Sequence, residues 1–305
     1  MAFVAQSCRY WVPEIAMSNR LLALLALVSM LGCAPARYIE LYPFASSVAV
    51  EFEPQAELEG RVADVPIRNK DRVLRLIDMF EEVGCQGDDL LVENITASPT
   101  PNVICTLQGE TDRTIIVSTH HIRAQGGKGI FDAWTSVALL PTLYASLKSV
   151  PRQHTYKFIG FASAPALAGS ASYLYLKGDP ARQDDTAAMI WIDFVGLGDL
   201  VAWGSRSDPN LFADLVSSAK ALDVDLVSRD LSNAPTIHDM SRAFRWAEIP
   251  TLYLHSLTLE TERVVGDRRW DLYPETLDNE AYFESYRILA AYLGYLDKTL
   301  EARRM

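Results

Sequence analysis

The chain has 305 residues, 49% of them hydrophobic, enough to build one large α/β domain around a substantial core. Its 28 basic and 39 acidic residues give a formal charge of −11, and no Lys/Arg cluster is long enough to track a phosphate backbone. Nucleic acid is therefore not an expected partner.

The chain opens on an address. "MSNRLLALLALVSMLGCAPARY", residues 17–38, sets Arg20 ahead of an apolar run over 21–31 and then Gly-Cys, the layout of an export signal. "MLGC" resembles a bacterial lipobox, which implies cleavage before Cys33 and a lipid on that cysteine. Residues 1–16 have no such pattern, so Met17 is the expected initiator. A transmembrane anchor needs about 20 apolar residues, and the run supplies eleven. The expectation is a leader over 1–33, a tether over 34–67 marked by Pro35, Pro43, Pro54 and Pro66, and a domain over 68–305. The lipid would hold it to a membrane of the bacterial cell envelope, facing the periplasm or the exterior. In that oxidising compartment Cys85 and Cys105 form an even pair 20 residues apart, either bridged or left as two buried thiols.

"NKDRVLRLIDMFEEVG" (69–84) spaces Val73, Leu74, Ile77 and Phe80 at helical intervals and stops at Gly84. Short strands are expected over 90–95, 102–107 and 114–119, separated by turn residues. A helix over 132–149, a strand over 155–161, a helix over 165–176 and a strand over 187–192 follow. After "LVAWGS" come a helix over 209–222, a strand near 224–229, a short helix around 239–247, the strand 251–255 and a last helix from Asn279 to about Leu300. Such alternation predicts an α/β fold with a mostly parallel mixed sheet flanked by helices.

Three of these strands end in polar or small residues: "IIVSTH" at His120, "KFIGFAS" at Ser163 and "AMIWID" at Asp193. In a parallel sheet those ends share one edge, which Asp132, at the start of the next helix, can also reach. One imidazole and two carboxylates suit a divalent metal such as zinc. Each also has a structural reading: Asp132 as an N-cap, Asp193 as a turn residue, His120 as a satisfied core histidine.

The blocks "NVICTLQGETDRTIIVSTHH", "GIFDAWTSVALL", "KFIGFASAPALAGSASYL", "MIWIDFVGLGD", "FRWAEIPTLYLHS" and "YPETLDNEAYFESYRILAAYL" resemble, in order, those of the co-catalytic di-zinc aminopeptidases, metallopeptidase family twenty-eight, to which glutaminyl cyclases are related. The resemblance runs from about residue 69 to 298 and implies a zinc-aminopeptidase-like (phosphorylase/hydrolase-like) three-layer sandwich. It implies that His120, Asp132 and Asp193 hold one metal. The rest of the family's site departs. Ile122 stands where an Asp supports the first His, and Ala133, Thr135 and Ser136 replace the residues after the bridging Asp. Ser163 and Ala164 stand where two Glu supply the general base and a ligand of the second metal, although Leu167, Gly169 and Ser170 of that block match. Asp271 takes the place of the last His, with Glu275 at the Asp position after it.

A serine hydroxyl near neutral pH cannot take a proton from metal-bound water as a tuned carboxylate does. Of the remaining histidines, His121 is expected on the opposite face to His120, while His238 and His255 read as structural. "GFASAPA" has neither the elbow nor the base that would make Ser163 a nucleophile. The expected protein is therefore a lipid-anchored relative with a degenerate di-metal site, non-catalytic or very weakly active, binding a peptide or an envelope protein. It would hold one divalent ion, zinc by its ligands, or none. A working aminopeptidase with one metal and an unrecognised base is the alternative.

Overall fold

A computed structural model of the chain describes residues 37–41, 46–96, 98–123, 128–162, 170–231, 239–265 and 276–302. Strands β1 (Arg37–Leu41) and β2 (Ser46–Val50) pair antiparallel with each other. Helices α1 (Gln55–Ala63) and α2 (Asn69–Glu82) lead to strands β3 (Leu90–Glu93), β4 (Asn102–Leu107) and β5 (Thr111–His120). A π-helical turn, Ile130–Trp134, opens into α3 (Thr135–Leu147), followed by β6 (His154–Phe161), α4 (Ser170–Gly178), α5 (Pro180–Asp185), β7 (Thr186–Ile192) and β8 (Val201–Ala202). Then come α6 (Pro209–Lys220), α7 (Arg242–Trp246), β9 (Thr251–His255), α8 (Leu259–Val265) and α9 (Asn279–Ala302).

Strands β3 to β9 make one mixed seven-stranded sheet in the order β3-β4-β6-β5-β7-β9-β8. Its four central strands, β6, β5, β7 and β9, are parallel, and the outer strands run antiparallel to their neighbours. This is the expected α/β architecture. Parallel strands are covered on both faces, which is why these read as continuous apolar runs. Ile115, Val117, Tyr156, Phe158, Ile190 and Leu252 face a core shared with α1, α2, α3 and α9. Ile116, Ile159, Phe161, Met189, Trp191 and Tyr253 face a second core, closed by α4 and α7. The apolar stretch Ile130–Leu147, long enough to cross a bilayer, is buried inside the protein.

Two expectations need correction. Residues 46–63 are not a tether. Val48 and Val50 are fully buried, and α1 buries Leu58, Arg61 and Val62. The Arg61 guanidinium donates to Thr142 Oγ1 of α3 (2.7 Å), and that of Arg152 donates to the Ala49 carbonyl (3.0 Å). Of the four prolines that look like linker punctuation, the two among the described residues mark helix boundaries instead: Pro54 is the N-cap of α1, and the Pro66 carbonyl accepts from Arg72 of α2. The strand expected near 224–229 is reduced to one parallel bridge, Ser228 to Ala202, because the neighbouring β8 is only two residues long and Asp223 turns the chain at φ +61°. Cys85, just after α2, and Cys105 of β4 are joined in a disulfide with Cα atoms 6.2 Å apart. Met17 and Cys33 lie outside the described residues.

Candidate functional site

The carboxyl ends of β5, β6, β7 and β9 lie on one edge of the sheet. His120 ends β5, and Asp193 follows β7 directly. The two-residue period of a strand puts Asp193 on the same face as Trp191, and the His120 ring stacks on Trp191 with centroids 6.3 Å apart. His120 Nδ1 is 3.1 Å from the Ile122 carbonyl. A carbonyl only accepts, so Nδ1 carries the hydrogen and, in the neutral ring, Nε2 carries the lone pair. Nε2 lies 3.7 Å from Asp193 Oδ1.

Asp193 is almost completely buried. The Phe194 amide donates to Oδ1 (3.1 Å), while the Tyr253 hydroxyl (3.1 Å) and the Trp191 indole (3.4 Å) donate to Oδ2. Burial, and then the negative charge of Asp132, nevertheless push the Asp193 carboxyl well above the usual carboxylate range. The backbone here is fixed under strain: Phe194 sits at φ +49°, rare for an aromatic residue, and its carbonyl accepts from both the amide (3.1 Å) and the hydroxyl (2.8 Å) of Ser256. Asp132 lies in the π-helical turn ahead of α3 and caps neither helix, so the N-cap reading does not apply.

The sheet edge thus brings His120 and Asp193 together and sets Asp132 where its charge acts on Asp193. Two ligand atoms each about 2.0–2.1 Å from a zinc ion are at most about 4.2 Å apart, so His120 Nε2 and Asp193 Oδ1 fit a common ion. A cation would also relieve the carboxylate repulsion that raises Asp193. Among the described residues, however, no three His, Cys, Asp or Glu side chains gather as a cation site.

The remaining histidines divide as follows. His121 is buried, with Nδ1 3.1 Å from the Gly160 carbonyl, and its pKa is pushed to about 3 by burial and by the His120 and Arg72 charges. His255 accepts from the Leu257 amide through Nδ1 (3.1 Å) and packs edge-on against Trp203 and Tyr253. Burial and the Arg229 charge push it also to about 3. In each ring Nε2 is buried and has no hydrogen-bond partner among the described residues. His238, Ser163, Ala164, Leu167, Gly169, Asp271 and Glu275 lie outside the described residues, and Ser170 opens α4. Sequence reasoning missed Tyr253 and Trp191 as partners of Asp193. The signal was available, because the alternation in "IWID" and "TLYLH" puts both rings on the face of the site.

No family model matches the chain, and no curated protein matches it. Solved structures do. The zinc aminopeptidase BSAP from Bacillus subtilis aligns at 18% identity over 64% of this chain and 49% of its own, with a TM-score of 0.54. The Legionella pneumophila LapA aminopeptidase aligns at 11% identity over 81% of this chain and 76% of its own, TM-score 0.60. A Fimbriiglobus ruber glutaminyl cyclase aligns at 15% identity over 80% of this chain and 97% of its own, TM-score 0.60. The match thus spans about half the length of the Bacillus enzyme. At these identities the likeness establishes the fold alone, an α/β architecture shared with zinc aminopeptidases and glutaminyl cyclases.

Proposed function

We propose that the chain is an exported protein, lipid-anchored through Cys33, with an aminopeptidase-like fold and a degenerate di-metal site. The resemblance implies that His120, Asp132 and Asp193 hold one divalent ion, zinc by ligand type, although of the three only His120 Nε2 and Asp193 Oδ1 are set close enough here to share it. Ser163 and Ala164 leave the site without a general base and without a ligand of the second metal, and Asp271 removes another ligand of that metal. The observation that carries this reading is the His120 ring, oriented by the Ile122 carbonyl, with Nε2 3.7 Å from a buried, hydrogen-bonded Asp193. Zinc there would act as a Lewis acid on a bound carbonyl. Tyr253, Trp191 and the Phe194 amide orient Asp193, and the Ile122 carbonyl fixes the His120 tautomer. Without a base, loss of about 10²–10⁴-fold in rate is expected, so the site serves to bind a peptide or another envelope protein.

The test is metal stoichiometry on the full chain together with hydrolysis of aminoacyl amides. One ion per chain, lost in Asp193→Ala, with little turnover, is expected. Two ions, or robust turnover abolished by Asp193→Ala, would overturn the degenerate site and leave a working aminopeptidase. The anchor is tested separately: Cys33→Ala should remain an uncleaved precursor that takes up no fatty acid, and normal labelling would refute it.

A second reading is favoured by length, since the chain covers 97% of the Fimbriiglobus cyclase. Attack of a peptide's own α-amine on its side-chain amide forms the ring N–C bond and breaks the C–NH2 bond, the proton given up by the amine leaving with ammonia; it needs a polarised carbonyl and no activated water, so a one-metal site without a hydrolytic base is compatible with it. Release of ammonia from an N-terminal glutamine peptide distinguishes this reading from the first.

A further inference from the structure

Arg72 of α2 is fully buried, and its guanidinium is spread over four main-chain carbonyls. Nη1 donates to His121 (3.3 Å), Nη2 to Lys128 (2.6 Å) and to Gly129 (2.7 Å), and Nε to Pro66 (3.0 Å). From the same turn of the helix, Asn69 Oδ1 accepts from the Arg123 amide (2.9 Å). The guanidinium also lies over the Trp134 ring, 5.3 Å from its centroid, and Trp134 shares the π-helical turn with Asp132. The backbone is shaped to this side chain. Gly129 has φ +65°, and a Cβ there would come within 2.8 Å of Arg72 Nη2 and 2.7 Å of Arg123 Cγ.

One planar group therefore grips the chain directly after His120 and again three residues ahead of Asp132. We infer that Arg72 is a positioning residue, which sets the separation of His120 and Asp132 by holding both ends of the segment that joins them. An arginine is required because its five donors form a rigid fork that reaches diverging carbonyls, whereas a lysine offers one nitrogen on a flexible stem. A buried guanidinium is tolerable only when its donors are satisfied, and that dependence couples the two ends of the segment to each other. The functional consequence rests on the reading of His120 and Asp132 as ligands of one ion; the positioning itself does not.

The experiment compares the full wild-type chain with Arg72→Ala, Arg72→Lys and Gly129→Ala by cobalt(II) titration, reading the ligand-field absorption, and by amide hydrogen exchange. Partners that orient metal ligands typically contribute 10–100-fold in affinity. Arg72→Ala should lose about that much, with an altered cobalt spectrum, and millimolar guanidinium should restore both, while Arg72→Lys recovers only part. Exchange should quicken together at 120–122 and 131–134. Gly129→Ala, which disturbs the grip without removing the charge, should show the same pattern if Arg72→Ala does not fold. A folded Arg72→Ala with wild-type affinity, spectrum and exchange would overturn the inference. If the wild type takes up no cobalt, the metal reading fails, and exchange alone decides: coupled quickening reversed by guanidinium upholds the positioning role, and unchanged exchange ends it.

Discussion

The ring N–H of His120 donates to the main-chain carbonyl of Ile122, two residues further on, at 3.1 Å. In the family that the chain resembles, an Asp at this position supports the histidine; here the backbone supplies the acceptor, whatever the side chain. A carbonyl fixes the tautomer as a carboxylate does but adds no negative charge. The side chain of Ile122 is therefore dispensable to the site, whereas that of Tyr253, which donates to Asp193 Oδ2, is not. Cobalt affinity should stay within about threefold in Ile122→Ala and fall about tenfold in Tyr253→Phe. A tenfold loss in Ile122→Ala would mean that something other than the carbonyl orients His120.

His121, next in sequence, works in the opposite sense. Folding holds its ring neutral, with a pKa pushed to about 3 from an ordinary 6.5. The unfolded chain binds a proton below about pH 6.5 and the native state does not, so the stability is present above that pH and is lost as pH falls toward about 3. Between pH 7 and pH 5 this amounts to about 2 kcal/mol for one such histidine, and His255 contributes in the same direction. Urea unfolding at the two pH values should show His121→Gln losing about 2 kcal/mol less than the wild type on acidification. An identical loss in the variant would remove His121 as a source of acid sensitivity.

The segment 46–63 gives a test of where the domain begins. A Cβ on Gly294 of α9 would collide with Val48 Cγ1 and lie 3.2 Å from Val50 Cγ1, so β2 docks where the helix has no side chain. Gly294→Ala relieves a helix-interior glycine worth about 0.5–1 kcal/mol but overpacks this contact at a cost of about 1–3 kcal/mol. A net loss in melting temperature of a few degrees is expected. Unchanged stability would show that β2 is not fastened to α9.

Much of the fold was legible because its signals are local. The central strands are buried on both faces and so read as apolar runs, and α2 stops at Glu82, two residues before Gly84, which takes φ +90°. What escaped was relational. Arg61 and Arg72 look like surface residues in "EGRVAD" and "KDRVLR" and become core only because Thr142 and the carbonyls of His121 and Gly129 receive them. Proline spacing suggests a tether over 34–67, whereas the residue that β2 packs against on α9, Gly294, lies more than two hundred residues away. At the site, the placement of His120 and Asp193 follows from strand ends, whereas the acceptor for the His120 ring, the Ile122 carbonyl, is a backbone atom and leaves no mark in the sequence.

The sharpest prediction concerns Ser163 and Ala164, which come two and three residues after the end of β6 in the sequence. In the family resembled, the two positions supply the base and a ligand of the second metal, and Asp271 stands where the last histidine completes that metal's set. Ser163→Glu, Ala164→Glu and Asp271→His together should therefore raise zinc occupancy from one ion toward two per chain. Activity requires more, because a base misplaced by about 1 Å can cost about 10²-fold. Zinc content measured by mass spectrometry should rise first, and hydrolysis of aminoacyl amides should follow only if the cleft admits substrate. If an ion is held at His120, Asp132 and Asp193 as proposed, the grip of Arg72 on both ends of the segment between His120 and Asp132 should keep it in place when a second ion is added. Zinc content unchanged in the triple variant, with the first ion still bound, would show that the second site has been lost in the backbone as well as in the side chains.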